Sequence, residues 1–148
     1  VTYALLDFIE KQKIDFNNLT VMETGGMKGR RKEIVREELH EILCSGLGVS
    51  KIHSEYGMTE LLSQAYSCGN GVFKTPSWMK ILTREISDPL SLCKEHKTGG
   101  INVIDLANTS SCCFISTQDL GRTLGNNQFE IIGRFDNSDT RGCNLMIG

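Results

Sequence analysis

Over its first 56 residues the chain alternates helical and strand-like patterns, and that order constrains the fold more than any single motif. Residues Thr2 to Lys13 carry Leu5, Phe8 and Ile9 at helical spacing, which predicts an amphipathic helix. Asn17 and Asn18 open the run LTVMET, a buried strand by pattern, and Gly25-Gly26 stop it. Past Gly29 and the basic triplet Arg30-Arg31-Lys32, a second helix is expected. Ile34, Val35, Leu39, Ile42 and Leu43 fall on one side of it, with Glu33, Glu37, Glu38 and Glu41 on the other. Gly46 and Gly48 supply its stop. The stretch KIHSEYGMTE, Lys51 to Glu60, follows as a second strand and turn. Helix, strand, helix, strand predicts two parallel strands joined by a right-handed crossover. Ligands of such sheets bind at the carboxyl ends of the strands, where Gly25-Gly26 and Gly57 to Glu60 stand.

After Ser67 the texture changes and no long helical period remains. SCGNGVFKTPSW reads as a glycine-containing loop, and Pro76 and Pro89 frame a strand, MKILTREI. GGINVIDLAN, SCCFISTQDLG and NQFEIIGRFDN are three short β-type runs separated by Gly, Asn and Ser turns. The expected fold class is therefore α/β: two parallel strand–helix units, then a mainly antiparallel β subdomain. Residues 1–70 form the first half in this reading and 71–148 the second. Apolar content of 39% and charged content of 23% are those of an ordinary globular protein. A net charge of −2, with acids and bases interspersed, gives no electrostatic footprint for nucleic acid. No apolar run has the length of a membrane span, and no signal peptide pattern opens the chain. Val1 stands directly on a helical pattern, the expectation for a portion of a longer protein.

Six cysteines are an even count, but Cys112 and Cys113 are adjacent on a run that reads as strand, and no C-x-x-C pair exists. His40, His53 and His96 are scattered. The expectation is a reducing cytoplasm, no structural metal site, and thiols that act mostly as small buried hydrophobes.

The chemistry concentrates in KIHSEYGMTE. Gly57 lets backbone approach a ligand, Tyr56 offers a flat face to a base, and Thr59 can donate a hydrogen bond to a phosphate. Glu60 can hold a hard cation such as Mg²⁺ through oxygen. Read alone, the same residues equally make a strand ending in a turn, with the aromatic ring in the core.

Four landmarks occur in order: Gly25-Gly26, then Tyr56-Gly57-Met58-Thr59-Glu60, then Thr117-Gln118-Asp119, then Gly133-Arg134-Phe135-Asp136 ahead of Arg141-Gly142-Cys143. Their spacings, about 30, 60 and 15 residues, resemble those of the adenylate-forming (acyl-activating) enzyme superfamily. Within it the chain is most similar to the acyl-protein synthetase family of the bacterial luminescence fatty-acid reductase system, and only to the later half of its members. The resemblance implies an ATP- and Mg²⁺-dependent ligase that activates a carboxylic acid (a fatty acid in the resembled family) as acyl-AMP and passes the acyl group to a cysteine thiol, its own or that of an acyl-acceptor protein. It implies that Gly25, Gly26 and Tyr56 border the adenine, with Gly57 in the same turn, and that Thr59 bonds the α-phosphate. Glu60 would take Mg²⁺, Asp119 the ribose hydroxyls, Arg134 the ribose or phosphate, and Cys143 the acyl group. Against these roles stand a solvated strand end for Asp119, a surface ion pair for Arg134 and Asp136, and an edge-strand residue for Cys143.

The chain departs from the superfamily pattern in three places. Thr-Gly-Asp is here Thr117-Gln118-Asp119, which alters the turn. The upstream Ser/Thr/Gly-rich phosphate loop is missing, as is a C-terminal lid with its catalytic lysine. The expectation is a fragment inactive alone. Two other readings are a portion of an acyl- or aryl-CoA ligase, with coenzyme A as acceptor, and a non-catalytic α/β interaction module.

Overall fold

The computed structural model describes residues 2–12, 15–16, 18–25 and 34–135. These hold two helices and eight strands in two compact units, one of Val1–Met58 with Gln64–Phe73, the other of Thr59–Ser63 with Lys74–Gly148.

The first unit begins with α1 (Thr2–Lys11) and β1 (Val21–Glu23), followed by α2 (Arg36–Leu47) and β2 (Ile52–Tyr56). Leu39, Leu43 and Leu47 recur every fourth residue on α2 and form a buried stripe, joined by Leu6, Val49 and Ile52. The stripe is narrower than the sequence suggests. Ile42 points outward, and Val35 stands exposed at the N-cap, with Ile34 ahead of it. Gly48 ends α2 at φ 66°, a left-handed conformation that glycine adopts without penalty, and donates its N–H to the Cys44 carbonyl. β1 and β2 pair in parallel, Val21 on Ile52 and Glu23 on Ser54, as the helix–strand order requires. β1 is only three residues long, shorter than LTVMET implies.

β3 (Ala65–Ser67) pairs antiparallel with β2, and β4 (Val72–Lys74) follows. The stretch expected to be one loop therefore carries strand at both ends of a turn. Gly69 and Gly71 take positive φ, and the Asn70 side chain accepts hydrogen bonds from Ser67 Oγ and the Val72 N–H.

The second unit is an antiparallel meander of β5 (Met79–Arg84), β6 (Gly99–Asp105), β7 (Phe114–Gly125) and β8 (Gln128–Arg134). Met79, Ile81, Ile101, Val103, Leu120 and Phe129 are buried in it. The β7–β8 turn is Asn126-Asn127 at φ 51° and 60°, the left-handed pair that a tight hairpin needs and that asparagine tolerates. Gly121 sits where a Cβ would lie 2.2 Å from the Glu130 carbonyl oxygen, so the two strands approach there only because no side chain intervenes. No helix among the described residues is long and apolar enough to cross a membrane.

Cys112 and Cys113 precede β7 instead of lying in it. Cys68 and Cys112 are exposed, and Cys44, Cys93 and Cys113 are half-buried, all as free thiols. Of these five only Cys44 packs against a core cluster, and none is fully buried, which corrects the expectation from composition. The cause is placement: Cys68, Cys112 and Cys113 fall in turns between strands.

Candidate functional site

In the first unit the relevant feature is the pair of carboxyl strand ends. Glu23 ends β1 with its side chain buried, and its carboxylate accepts hydrogen bonds from the Gly25 N–H and, at 3.4 Å, from Thr2 Oγ1. His40 Nε2, from α2, lies 3.5 Å from the same carboxylate and 3.4 Å from Ser54 Oγ on β2. Gly25 leaves this anchor exposed and left-handed, at φ 71°. Sequence reasoning passed over Glu23; the signal was an acid at an inward-alternating position of an otherwise apolar run.

Tyr56 ends β2 and is buried, with its ring edge-on to Phe73 at 6.1 Å between centroids. The Arg36 guanidinium covers Phe73 at 5.2 Å from the ring centre. Tyr56 therefore serves the core of this unit whatever else it does. Gly57 follows it, exposed. Gly26 lies outside the described residues.

In the second unit, Thr59 and Glu60 are exposed in one turn, and their position is set by groups far along the chain. Asn108, itself buried, donates from Nδ2 to the Glu60 carbonyl at 2.9 Å and to the Cys112 carbonyl at 3.1 Å. Asp105 accepts from the Leu62 and Ser63 N–H groups at 2.9 and 2.8 Å, from Ser63 Oγ at 2.7 Å and from the Ala107 N–H at 3.1 Å. Trp78 Nε1 adds a bond to Ser63 Oγ at 2.9 Å. Burial pushes the Asp105 carboxyl upward, but the bonds from Ser63, Ala107 and Leu62 outweigh it and hold the group below its ordinary value. Asp105 and Asn108 were not singled out from sequence, because the partners that tie them to this turn, Glu60, Leu62 and Ser63, are more than forty residues away.

Asp119 is not at a strand end, as its motif suggested, but within the twelve-residue β7. Its environment is nonetheless irregular. Asn102 pairs with Ser116 and Gly100 with Leu120, so Thr117, Gln118 and Asp119 together face one residue of β6, Ile101. Such bulges re-aim side chains out of a regular ladder. Across β7 and β8, Asp119 stands opposite Arg134, and their charged groups meet at 3.3 Å. The two candidate residues are thus brought together. Arg134 is 72% exposed and Asp119 only 15%, so the pair itself adds at most about 1 kcal/mol. Asp136, Arg141, Gly142 and Cys143 lie outside the described residues.

For Mg²⁺, the donor available is the exposed Glu60 carboxylate on a turn held by Asn108. Among the described residues there is no cluster of three His, Cys, Asp or Glu groups that would cage an ion. One carboxylate completed by substrate phosphates is a common way to bind Mg²⁺, so the residues present fit it.

Three solved structures share this fold. A mutant coronafacic acid ligase from Pectobacterium brasiliense superposes over 90% of this chain at a TM-score of 0.61 and 17% identity. O-succinylbenzoate coenzyme A synthetase (MenE) from Bacillus subtilis, solved with ATP and magnesium, covers 89% at 0.58 and 18%. Apo MatB from Rhodopseudomonas palustris covers 90% at 0.53 and 12%. The chain spans only 28%, 30% and 33% of those three chains respectively, about a third of their length. A search of curated protein sequences finds no match. The fold is thus that of part of an adenylate-forming enzyme. The profile described as "Acyl-protein synthetase, LuxE" matches residues 2–148, and the chain belongs to that family.

Proposed function

We propose that the chain is the nucleotide-binding later portion of an ATP-dependent ligase that adenylates a carboxylic acid and passes the acyl group to a thiol. The observation that carries this is the parallel register of β1 on β2. Glu23 pairs with Ser54, and two residues further along each strand come Gly25 and Tyr56, at the carboxyl ends where such sheets bind ligands. Gly25, Gly26 and Tyr56 border the adenine, Gly57 leaves room for backbone contact, and Thr59 donates to the α-phosphate. Asp119 accepts the ribose hydroxyls. A carboxylate has about four acceptor positions, so Asp119 can serve the ribose while keeping Arg134, which is placed to reach ribose or phosphate. Glu60, with the nucleotide phosphates, would hold Mg²⁺, which would supply positive charge to the group being transferred.

In the first step a carboxylate oxygen of the acid attacks the α-phosphorus, the bond to the bridging oxygen breaks, and pyrophosphate leaves. In the second, a thiolate attacks the acyl carbon and AMP leaves with the bonding electrons, giving a thioester. Cys143 is the proposed acceptor: it follows Arg141 and Gly142 in the sequence, and a neighbouring cation favours thiolate. Burial pushes the Cys44 and Cys93 thiols up, and Glu85 beside Cys93 pushes it further, so neither is an activated nucleophile. The free thiols also suit a reducing cytoplasm.

The test uses full-length protein, ATP and labelled fatty acid. Cys143→Ser should abolish hydroxylamine-sensitive labelling of the protein while acyl-adenylate still forms. Label persisting on another cysteine would refute the acceptor role. A coenzyme A acceptor is the second reading, suggested by the coenzyme A synthetase among the structures of like fold. It requires label to appear on coenzyme A and never on protein.

A further inference from the structure

The bulge at Thr117 to Asp119 removes regular pairing between β6 and β7, and side chains replace it, chiefly that of Arg84. Arg84, at the end of β5, reaches across β6 to β7. Its Nη1 donates to the Ile101 carbonyl and to Asn102 Oδ1, both at 2.8 Å, and its Nη2 donates to the Thr117 carbonyl at 2.7 Å. Its guanidinium lies 5.6 Å from the centre of the Phe135 ring, and the Phe135 N–H bonds the Gln118 carbonyl at 2.8 Å. Thr117 Oγ1 donates to the Ile101 carbonyl at 3.0 Å and accepts from the Asp119 N–H at 3.1 Å. The backbone leading into Asp119 is therefore tied, at Thr117, to a charge from a strand not adjacent to β7. Gly100 makes room for it: a Cβ there would stand 2.5 Å from Arg84 Cζ. A planar fork with five donors can hold three acceptors in fixed directions, whereas an ammonium cannot reproduce that plane.

We propose that Arg84 is a positioning residue for nucleotide recognition, fixing the bulge so that the Asp119 carboxylate meets the ribose hydroxyls. The inference rests on the ribose role given to Asp119 above. Arg84 touches no nucleotide itself. Its effect is on the direction of the carboxylate, so it should govern discrimination among ribose analogues more than binding of phosphate.

The experiment compares ATP with 2′-deoxy-ATP and 3′-deoxy-ATP in acyl-adenylate formation by full-length protein. Wild type should prefer ATP, and Asp119→Asn should erase that preference. Arg84→Lys should lower the preference about tenfold, the scale of one lost hydrogen bond to a charged group. Gly100→Ala, which crowds the guanidinium without removing it, should shift it the same way. Adding Arg84→Lys to Asp119→Asn should then change the preference no further, because both act through one carboxylate. If Asp119→Asn loses the preference while both other variants keep it at the wild-type ratio, the positioning role is overturned. If Asp119→Asn keeps it, the ribose assignment itself has failed, whatever Arg84 does. Should Arg84→Lys not fold, Gly100→Ala decides between these outcomes.

Discussion

Asp105 shows how much one side chain can set. It is fully buried, carries a charge, and has four hydrogen bonds to hold that charge in place. Replacing it by asparagine keeps the shape but loses an acceptor and the charge. Asp105→Asn should cost about 3 kcal/mol, read as a lowered midpoint in urea, since bonds to charged groups are the strong ones. The pH dependence follows from the direction of its shift. The folded group titrates below the unfolded value of about 3.9, so its contribution is complete above that value and is lost as pH falls through the folded one. Wild-type thermal stability should therefore fall on acidification below about pH 4, and part of that slope should vanish in Asp105→Asn. An unchanged slope would remove Asp105 from the account. At the neighbouring turn, Glu60→Gln in full-length protein should lower turnover by weakening the metal site; wild-type rates would reassign Glu60 to structure.

At the scale of elements, chain order predicted most and local pattern least. The parallel pairing of β1 with β2 could be read in advance because one helical period separates two strand-like runs. The β7 and β8 runs were legible on other grounds, as short β-type runs separated by Gly, Asn and Ser turns. The β3–β4 region was not legible, because AYS and VFK are too short to show a period and the glycines between them dominate. The bulge at Thr117 to Asp119 was invisible as well. Register arises from pairing with β6, and nothing within the motif itself announces three residues facing one. The site divides in the same way. The exposed Gly25, Thr59 and Glu60 were singled out by chemistry, whereas Asp105 and Asn108, which fix the turn of Thr59 and Glu60, act across more than forty residues. Gly121 offers a test of the β7–β8 approach: Gly121→Ala must displace the Glu130 carbonyl, and should cost about 2 kcal/mol in equilibrium unfolding, the usual scale of overpacking. A neutral result would mean that the strands can separate there without loss.

At the scale of the whole molecule, the chain covers about a third of the ligases it resembles in fold and lacks the Ser/Thr/Gly-rich phosphate loop in its 148 residues. These 148 residues alone should therefore give no ATP–pyrophosphate exchange above a buffer control; measurable exchange would show that the leaving group is held by residues given no such role here. Dissecting the protein for recombination meets a further constraint, which comes from Thr59–Ser63. That segment packs with the second unit, while the residues on either side of it belong to the first. A chimera with one crossover near residue 74 would import the meander without its native partner for Asp105. Three of the four bonds to that carboxylate would then come from the other parent's residues 62 and 63: two backbone N–H groups, which need the native turn, and one hydroxyl, which needs serine. Grafts between relatives should accordingly succeed in pairs, with the Thr59–Ser63 pentapeptide travelling together with β6.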